Sequence, residues 1–569
     1  MKKKVFAVVV TAAMMLSLAA CGGGASSSGN SSGAAETKAA EAAAEGAAEA
    51  EAPAGAAVEI PAGESISQET DITCAVNVDF TTLDPMDTSD TLSGDLQRLL
   101  MDGLFGFDEE MNIVPMLATG YEANEDATEY VISLREGISF SDGTPWNAES
   151  CKANFDRWGD KTTGLKRTTF LSNTLAGCEI VDDYTVKVTL VSPFGAFINN
   201  LAHPCTVCVS PSMIEAGAQA CAQDACGTGQ YRFVEWVAGE YLKVELNPDW
   251  WGYDAEICGG TALVEADAGF KTITFKPVTE AATKVAMIQS GDAQMIWTVP
   301  AENIDALKAD SNVVVGTDES LVERYLMMNN QKAPFNDVRV RQAINYAIDK
   351  DAYCAVVKNG YATPAQSVIG SSVQYFKAND PYPYDVEKAK ALLAEAGYPD
   401  GFTTSIMFAN TTANTKQCEF IKQQLEQVGI TVNLDGMESA LVNEKVQGDY
   451  PSGAEAPVEM YVIGWSPSTG DADWGLRPLL AIESEPPMSY NICYYENEEV
   501  DQLIKDGLNT ADPEARKEAY AKAQDIIWEE SPLVCLAFDS NTWANSNKII
   551  NIGLIPDGGL WIRNARMAK

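Results

Sequence analysis

The stretch TTSIMFANTTANTKQCEFIKQQLEQVGITVNL, residues 403–434, contains the pattern that decides the fold. An apolar run at Thr404–Phe408 predicts a strand, and Ile430–Leu434 predicts a second strand. Between them, apolar residues recur at helical spacing over Lys416–Val428, which predicts an amphipathic helix. A strand, a helix and another strand in succession are the unit from which α/β folds are built.

The same alternation continues on both sides of this stretch, from about Gln68 to Lys569. The further predicted strands are Tyr130–Leu134, Thr185–Leu190, Tyr231–Val237, Tyr241–Leu246, Lys271–Phe275, Val458–Ile463 and Leu533–Phe538. The further predicted helices are Glu280–Ser290, Val338–Ile348, Val386–Ala396, Val500–Leu508 and Pro513–Glu529. Interleaved strands and helices over this length predict an α/β fold with more than one hydrophobic core.

The first residues have the composition of an export signal and an anchor. Three lysines precede an apolar run, Val5–Leu18, that has the length of a signal-peptide core. It ends in Leu18-Ala-Ala-Cys21, which resembles the lipobox of bacterial lipoproteins, where the cysteine carries the lipid. We therefore predict a signal peptide at 1–20 and lipidation of Cys21; the alternative is a plain secretory signal with a chance cysteine. Residues 21–67, rich in Gly, Ala, Ser and Glu, predict a disordered tether.

Composition excludes several classes of function. The 569 residues include 81 acidic side chains, 39 basic ones and one histidine, for a formal net charge of −42. A surface this acidic repels phosphate backbones, so we expect no nucleic-acid partner. One histidine is too few for a His-rich zinc site, and the sequence has neither a phosphate-binding GxxxxGK[ST] loop nor a GxSxG nucleophile motif. We therefore expect no metal, no cofactor and no enzymatic activity.

The 13 cysteines give a hint about the cellular compartment but do not indicate a function. Outside the cell they are free to form disulfides. Most of them lie in apolar or helical stretches, however, where small buried hydrophobic side chains are the better interpretation. A small loop disulfide between Cys221 and Cys226 stays open as an alternative.

A series of motifs in a fixed order resembles family 5 of the solute-binding proteins, the peptide- and nickel-binding components of ABC importers. The motifs include Leu83-Asp-Pro85, Gly103-Leu-Phe105, Phe140-Ser-Asp-Gly-Thr-Pro145, Asn247-Pro-Asp-Trp-Trp251 and Val340-Arg-Gln-Ala-Ile-Asn-Tyr-Ala-Ile348. The resemblance implies a bilobed α/β periplasmic-binding-protein fold with the ligand in the cleft between the lobes. It places lobe I at 68–110, 226–325 and 533–569, an inserted subdomain at 111–225, and lobe II at 326–532.

Within the family the sequence is similar to the glutathione binders, in Leu165-Lys-Arg167, Leu201-Ala-His-Pro204 and the loop Gly464-Trp-Ser-Pro-Ser-Thr-Gly-Asp-Ala-Asp-Trp474. This likeness implies a monomeric, lipid-anchored protein on the extracytoplasmic face of a bacterial membrane. Such a protein delivers glutathione or a similar small peptide to an ABC permease. The alternative is a general dipeptide or oligopeptide binder, and nickel or haem capture is a more distant one.

The loop after strand Val458–Ile463 holds the candidates for binding a ligand ammonium. Asp471 and Asp473 lie between Trp465 and Trp474, and acids with aromatic walls suit an ammonium through charge and cation–π contact. The alternative is a solvated acidic turn. Dipeptide binders of the family place a carboxylate where this chain has Ser468. Ser468 and its neighbour Thr469 are also candidates for binding the ligand. Which acid takes the ammonium therefore stays open.

The remaining candidates are assigned by the resemblance and by charge. Arg167 and Arg324 are the candidates for ligand carboxylates, with structural ion pairs as the alternative. Thr88, Ser89 and Asp90 match the loop that contacts peptide backbone in the family. Arg477 is a weaker carboxylate candidate, because the glutathione binders are not basic there. His203 is expected to fill a structural niche rather than to bind a metal.

Overall fold

The structure is a computed structural model that describes Ile60 and residues 64–569. The predicted signal peptide, the predicted lipidation site Cys21 and nearly all of the predicted tether lie outside the described residues. None of the helices in the described part has the length and the apolar composition needed to cross a membrane.

The main feature of the body is one eleven-stranded mixed sheet. Its path is β15-β14-β16-β12-β17-β11-β1-β10-β9-β8, with β13 paired to β17 off this path. The strands are β1 (Asp71–Val76), β8 (Tyr231–Val237), β9 (Tyr241–Leu246), β10 (Thr272–Pro277), β11 (Met295–Trp297), β12 (Val313–Met328), β13 (Ala362–Pro364), β14 (Thr403–Ala409), β15 (Thr431–Met437), β16 (Met460–Trp465) and β17 (Leu533–Ser546).

The other strands form four small antiparallel sheets. The four-stranded one has the order β4-β5-β7-β6, and the two-stranded ones pair β2 with β3, β18 with β21 and β19 with β20. Their bounds are β2 (Phe105–Phe107), β3 (Ile113–Pro115), β4 (Ala118–Ala123), β5 (Glu129–Leu134), β6 (Leu175–Asp182), β7 (Thr185–Leu190), β18 (Ile549–Ile550), β19 (Gly553–Leu554), β20 (Leu560–Trp561) and β21 (Arg566–Met567).

Sixteen α-helices are present in the described residues. They are α1 (Thr91–Leu100), α2 (Ala148–Gly159), α3 (Thr168–Ser172), α4 (Phe197–Ala202), α5 (Pro211–Ala216), α6 (Ala218–Gln223), α7 (Ala281–Ser290), α8 (Ile304–Lys308), α9 (Val338–Ala347), α10 (Lys350–Val357), α11 (Val386–Glu395), α12 (Thr412–Glu426), α13 (Ser439–Val446), α14 (Ala472–Leu480), α15 (Glu498–Leu508) and α16 (Pro513–Glu530).

The unit β14-α12-β15 confirms the prediction made for residues 403–434. The two strands pair in parallel, with Thr403 opposite Thr431 and Ala409 opposite Met437. Helix α12 starts four residues earlier than predicted, because the Thr411 side chain accepts a hydrogen bond from the Asn414 backbone N–H and caps the helix there. Its buried residues Cys418, Ile421 and Leu425 pack on the sheet. Each fully buried aliphatic side chain of this kind contributes about 1.5–3 kcal/mol to stability.

Strands β12 and β17 are the long elements of the sheet. They run antiparallel from Val313 opposite Ser546 to Met327 opposite Leu533, with irregular pairing near Glu319–Glu323. The sequence predicted only the first part of β17, Leu533–Phe538. Polar residues such as Asn541 and Thr542 in the second part hid the extension, because their side chains bond to the backbone of other segments.

Buried side chains form several clusters rather than one core, as predicted. One cluster lies between strands β12, β14, β16 and β17 and helices α9–α12. Another surrounds β1, β9, β10 and α1. The largest joins the four-stranded sheet and helices α2 and α14–α16. The twelve cysteines of the described residues are free, and eleven of them are buried, which agrees with a role as small apolar side chains.

Candidate functional site

Two adjoining cavities lie where the segments after β1 and β5 meet the segment after β16. The first, here named the α1 cavity, has a volume of about 200 Å³ and is lined by one face of α1, by Thr88–Asp90, by His203 and by Ser466 and Ser468. The second, here named the basic cavity, has a volume of about 390 Å³; its lining includes Lys166, Phe170, Trp474 and Arg477. Arg167 lines both cavities. Five predicted ligand residues therefore surround the α1 cavity: Thr88, Ser89, Asp90, Arg167 and Ser468.

The loop Thr88–Asp90 is held firmly against helix α1. Thr88 donates its hydroxyl to the Asp84 carbonyl at 3.0 Å and accepts a hydrogen bond from Gln97 Nε2 at 2.6 Å. Asp90 caps α1, because its Oδ1 accepts from the Ser93 N–H at 2.8 Å, and its Oδ2 accepts from the Thr81 hydroxyl at 2.7 Å. The loop is therefore fixed in place, with the side chains of Thr88 and Asp90 already bonded to protein groups.

Arg167 precedes helix α3 and is anchored at one end only. Its backbone N–H donates to the Met86 carbonyl at 2.9 Å, and its Nε donates to the Thr88 carbonyl at 2.8 Å. No hydrogen bond from its two terminal nitrogens to the described residues is present. Those nitrogens are the part of a guanidinium that grips a carboxylate in a bidentate pair.

The two predicted ammonium-binding acids are both paired with arginines. Asp471 caps α14 through the Asp473 N–H and accepts from Arg516 Nη2 at 2.8 Å. Asp473 accepts from Arg477 Nε at 2.8 Å and Nη2 at 2.7 Å. Their exposed fractions are 0% and 2%, so the alternative of a solvated acidic turn is wrong. Burial raises the pKa of Asp471, and the charge of Arg516 only partly opposes this effect.

Neither acid lines the two cavities: Asp471 is paired with Arg516 of α16, and Asp473 is paired with Arg477, one turn further along α14. This loop does bring Ser466 and Ser468 to the α1 cavity and Trp474 to the basic cavity. Thr469 is buried, and its carbonyl accepts from Asn199 Nδ2 at 3.1 Å, which ties the loop to α4.

A row of aromatic rings crosses between the segments. Trp465 and Trp474 lie 6.4 Å apart between ring centroids, and Trp474 lies 6.4 Å from Phe170. Phe170 in turn lies 4.8 Å from the ring of His203. His203 is buried, and its Nδ1 accepts from the Cys205 N–H at 3.1 Å. Burial lowers the pKa of His203 well below its ordinary value, which fits the predicted structural role.

The comparisons with known proteins agree with the resemblance seen in the sequence. Residues 112–483 match the model of the bacterial extracellular solute-binding proteins, family 5. The chain belongs to this family. It is 39% identical over 490 residues to the glutathione-binding protein GsiB of Salmonella typhi, an alignment that covers 86% of this chain and 93% of GsiB. GsiB of Escherichia coli K12 is likewise 39% identical over 496 residues, covering 87% and 94% of the two chains.

Solved structures show the same fold. HbpA2 of Haemophilus parasuis superimposes with a TM-score of 0.78 at 24% identity, covering 88% of this chain and all of that one. DppA of Helicobacter pylori, solved with the peptide STSA, gives a TM-score of 0.68 at 25% identity, covering 87% and 98%. The bilobed α/β fold expected from the sequence is therefore confirmed. The family 5 chain is the extracytoplasmic solute-binding component of an ABC importer.

The second predicted carboxylate-binding arginine of this family 5 protein lies elsewhere. Arg324, on β12, lines a separate cavity of about 250 Å³ together with Lys358 and Asn414. Its Nε donates to Asp539 Oδ2 at 2.8 Å, and Lys358 Nζ lies 2.7 Å from Asp539 Oδ1. Arg324 is thus an ion-pair partner, as the alternative held, and it shares no cavity with Arg167.

Three charged residues of the α1 cavity and Lys166 of the basic cavity were not predicted from the sequence, and Arg477 was rated only as a weaker candidate. Asp95, Arg98 and Asp557 line the first, and Arg477 lines the second. The sequence did contain a signal for Asp95 and Arg98. Asp95 and Arg98 stand three residues apart in the predominantly apolar segment Leu96–Met101 and its flank, where a buried acid needs a partner. Asp557 is 459 residues away from Arg98 in sequence, so only the fold reveals it.

Proposed function

We propose that this chain captures glutathione or a closely related small peptide between its two lobes and delivers it to the permease of an ABC importer. The observation that carries the proposal is the basic cavity. Lys166, Arg167 and Arg477 line it, and its lining includes no carboxylate, in a chain whose net charge is −42. A local concentration of positive charge against so acidic a background suits a ligand that brings carboxylates of its own.

Glutathione has the chemistry that this arrangement would recognise, with two carboxylates and one ammonium at neutral pH. The terminal nitrogens of Arg167 would take one carboxylate in a bidentate pair, from the wall that the two cavities share. Phe170 and Trp474 would provide apolar cover for the methylene and thiol groups. The relatives named for glutathione binding, 39% identical over nearly their whole length, support this ligand class.

A general peptide binder is the second candidate. Two solved neighbours favour it, because DppA of Helicobacter pylori was solved with the peptide STSA and a dipeptide-binding protein of Pseudoalteromonas with Met-Leu. Ser468 argues against it, since dipeptide binders of this family are expected to hold an acid at that position. Nickel is a weaker candidate: the nickel ABC transporter protein of Bacillus halodurans superimposes with a TM-score of 0.73 but at only 20% identity, a likeness that shows the fold and not the ligand. Within residues 64–569 the structure groups no three His, Cys, Asp or Glu side chains suited to a metal ion.

The test is a ligand panel measured on residues 64–569. Thermal shifts and isothermal titration calorimetry would compare reduced glutathione, oxidised glutathione, γ-glutamylcysteine, Met-Leu and a tetrapeptide. A ligand at a hundred times its Kd should raise stability by about 2.7 kcal/mol. We expect glutathione or its γ-glutamyl relatives to bind without being turned over. Stabilisation by plain dipeptides and not by glutathione would favour the second candidate, and stabilisation by none would reject both.

The anchoring is part of the same proposal. We infer a monomeric protein whose residues 1–20 are removed, whose Cys21 carries lipid, and whose residues 21–67 tether the body to the outer face of the membrane. We also propose the subdomain bounds given above, with the insertion at 111–225 built on the four-stranded sheet. Labelling cells with radioactive palmitate tests the anchor: the Cys21→Ser variant should take up no label while keeping ligand binding.

A further inference from the structure

One face of helix α1 forms the floor of the α1 cavity. Thr91, Gly94, Asp95 and Arg98 all line it, which is the spacing of residues on a single helical face. Asp95 is the buried charged residue of this face, with an exposed fraction of 3%. Its Oδ1 lies 3.2 Å from Arg98 Nη1, whereas its Oδ2 has no hydrogen-bond partner among the described residues.

An unpartnered carboxylate oxygen at this depth is costly, because burial removes the water that would otherwise solvate it. Arg98 supplies only part of the compensation, since it also pairs with Asp557. The other two carboxylates of the cavity are better satisfied. Asp90 accepts from Ser93 N–H and the Thr81 hydroxyl, and Asp557 accepts from the Gly559 N–H at 2.8 Å in addition to Arg98.

The charges around the α1 cavity therefore leave one negative charge in excess. Its lining contains three carboxylates, Asp90, Asp95 and Asp557, against two guanidiniums, Arg98 and Arg167. Arg167, on the wall toward the basic cavity, is the one that the proposed function assigns to a ligand carboxylate. Among the carboxylates that line this cavity, Asp95 is the one with an oxygen, Oδ2, that has no donor. Asp471 Oδ2 also lacks a donor among the described residues, but Asp471 lines neither cavity.

We infer that Asp95 receives the ammonium group of the ligand. This inference rests on the proposed function, because it takes the ligand to be a small peptide with a free amino group. It also gives the ligand a direction: the ammonium enters the α1 cavity, Arg167 holds a carboxylate at the shared wall, and the rest of the peptide extends into the basic cavity. Asp471 and Asp473 are left as the structural partners of Arg516 and Arg477.

The experiment is a double-mutant cycle between the protein and the ligand. Wild type, Asp95→Asn and Asp471→Asn would each be titrated with glutathione and with glutaryl-cysteinyl-glycine, which is glutathione without its amino group. We expect Asp95→Asn to weaken glutathione binding roughly 10- to 100-fold, as loss of a charge-assisted hydrogen bond does, and to leave the analogue unaffected. Asp471→Asn should weaken both ligands equally or neither.

Each outcome separates the two proposals. If wild type binds no member of the peptide panel, the proposed function fails first. If wild type binds glutathione but Asp95→Asn weakens both ligands to the same extent, or neither, the ammonium does not lie on Asp95. If Asp95→Asn does not fold, a crystal structure of wild type with glutathione decides the question. The amino nitrogen within hydrogen-bond distance of Asp95 Oδ2 supports the inference, and its placement beside Asp471, Asp473 or any other group overturns it.

Discussion

The α1 cavity and the basic cavity share Arg167 as a common wall yet have opposite electrostatic character. The first has three carboxylates against two guanidiniums, and the second has three cations with no carboxylate in its lining. A zwitterionic ligand needs both environments within its own length. The net charge of the chain therefore does not describe its binding site, because the balance of charged side chains reverses from one side of Arg167 to the other.

The acids that belong to neither cavity complete this comparison. Asp471 and Asp473 lie close in sequence to Trp474 of the basic cavity, but each has an arginine partner. Because Asp473 neutralises most of the Arg477 charge at close range, the basic cavity depends chiefly on Arg167 and Lys166 for its field.

The largest effect is expected on stability, at the pair that lies outside both cavities. Asp471→Asn leaves Arg516, whose side chain is 4% exposed, without its carboxylate. Breaking a buried ion pair in this way costs about 3–5 kcal/mol. We expect a loss of that order in the free energy of unfolding, measured by urea denaturation, with the affinity of the folded protein for glutathione unchanged.

The matched control is Asp156→Asn, which removes the exposed partner of Lys152 on α2 and should leave the denaturation midpoint nearly unchanged. A folded Asp471→Asn protein of normal stability that no longer distinguishes glutathione from its deaminated analogue would reverse the assignment. The acid after β16 would then hold the ligand, and the comparison of the two cavities would lose its basis.

The shared wall should give the largest effect on affinity. Arg167→Gln removes the one side chain that lines both cavities and has unbonded terminal nitrogens, so a ligand carboxylate loses a bidentate partner. We expect glutathione binding to weaken about 30- to 100-fold by calorimetry, equivalent to about 2–3 kcal/mol. Arg339→Gln on α9, where the guanidinium pairs with Asp337 at the surface, is the control. Equal affinities for both variants would remove Arg167 from the site.

Sequence reasoning predicted the fold far better than the charged floor of the site. The β14-α12-β15 unit and the β8-β9 hairpin follow local periodicity, and their strands were predicted to within three residues at either end. The loop Thr88–Asp90 and Arg167 were reached through the family motifs. Asp95 was not predicted. Its carboxylate lacks a full partner because Arg98 also pairs with Asp557, and a distant loop brings Asp557 there.

In the acidic loop after β16, the local sequence drew attention to two acids but did not reveal the partner of Asp471. Asp471-Ala-Asp473 between two tryptophans has the composition of an ammonium site, and nothing local indicates that Asp471 is paired with an arginine. Arg516 comes from α16, 45 residues further along the chain. Arg477 lies one helical turn after Asp473, so that pair was visible at i,i+4 spacing. Composition thus pointed to a loop that reaches both cavities through Ser468 and Trp474, whereas the two acids of that loop are paired with arginines.

The pH dependence of affinity sharpens the contrast between the cavities. Burial raises the pKa of Asp95 well above its ordinary value, Arg98 opposes this, and Asp557 and Asp90 add to it. Below that raised pKa the carboxyl is protonated before the ligand enters, and an ammonium binds only the ionised form. Affinity for glutathione should therefore rise with pH, by up to about tenfold per unit, until Asp95 is fully ionised.

The control for this pH effect is Asp95→Asn, whose profile should be flat over the same range. The other ionisable groups that face Asp95 across the cavity are retained in that variant; they are Asp90, Arg98, Arg167, His203, Cys205 and Asp557. If the affinity of Asp95→Asn for glutathione changes with pH as steeply as that of wild type, one of those other groups is the one that titrates. The pH dependence would then not report on the contact between Asp95 and the ligand ammonium.

The smallest effect is expected at the outer rim of the basic cavity. Lys166 is exposed, and the described residues offer its Nζ no ion-pair partner within 4.0 Å. An exposed charge of this kind acts mainly through the long-range field, so Lys166→Gln should weaken glutathione binding only about two- to fivefold. The loss should shrink as salt is raised from about 0.01 M to 1 M, because the Debye length falls from about 30 Å to about 3 Å.

Lys152→Gln, on a helix that lines neither cavity, should leave both the affinity and its salt dependence unchanged. If Lys166→Gln matched the loss seen in Arg167→Gln and kept it at high salt, Lys166 would be a direct ligand contact. The basic cavity would then hold a carboxylate at its rim as well as at the wall it shares with the α1 cavity.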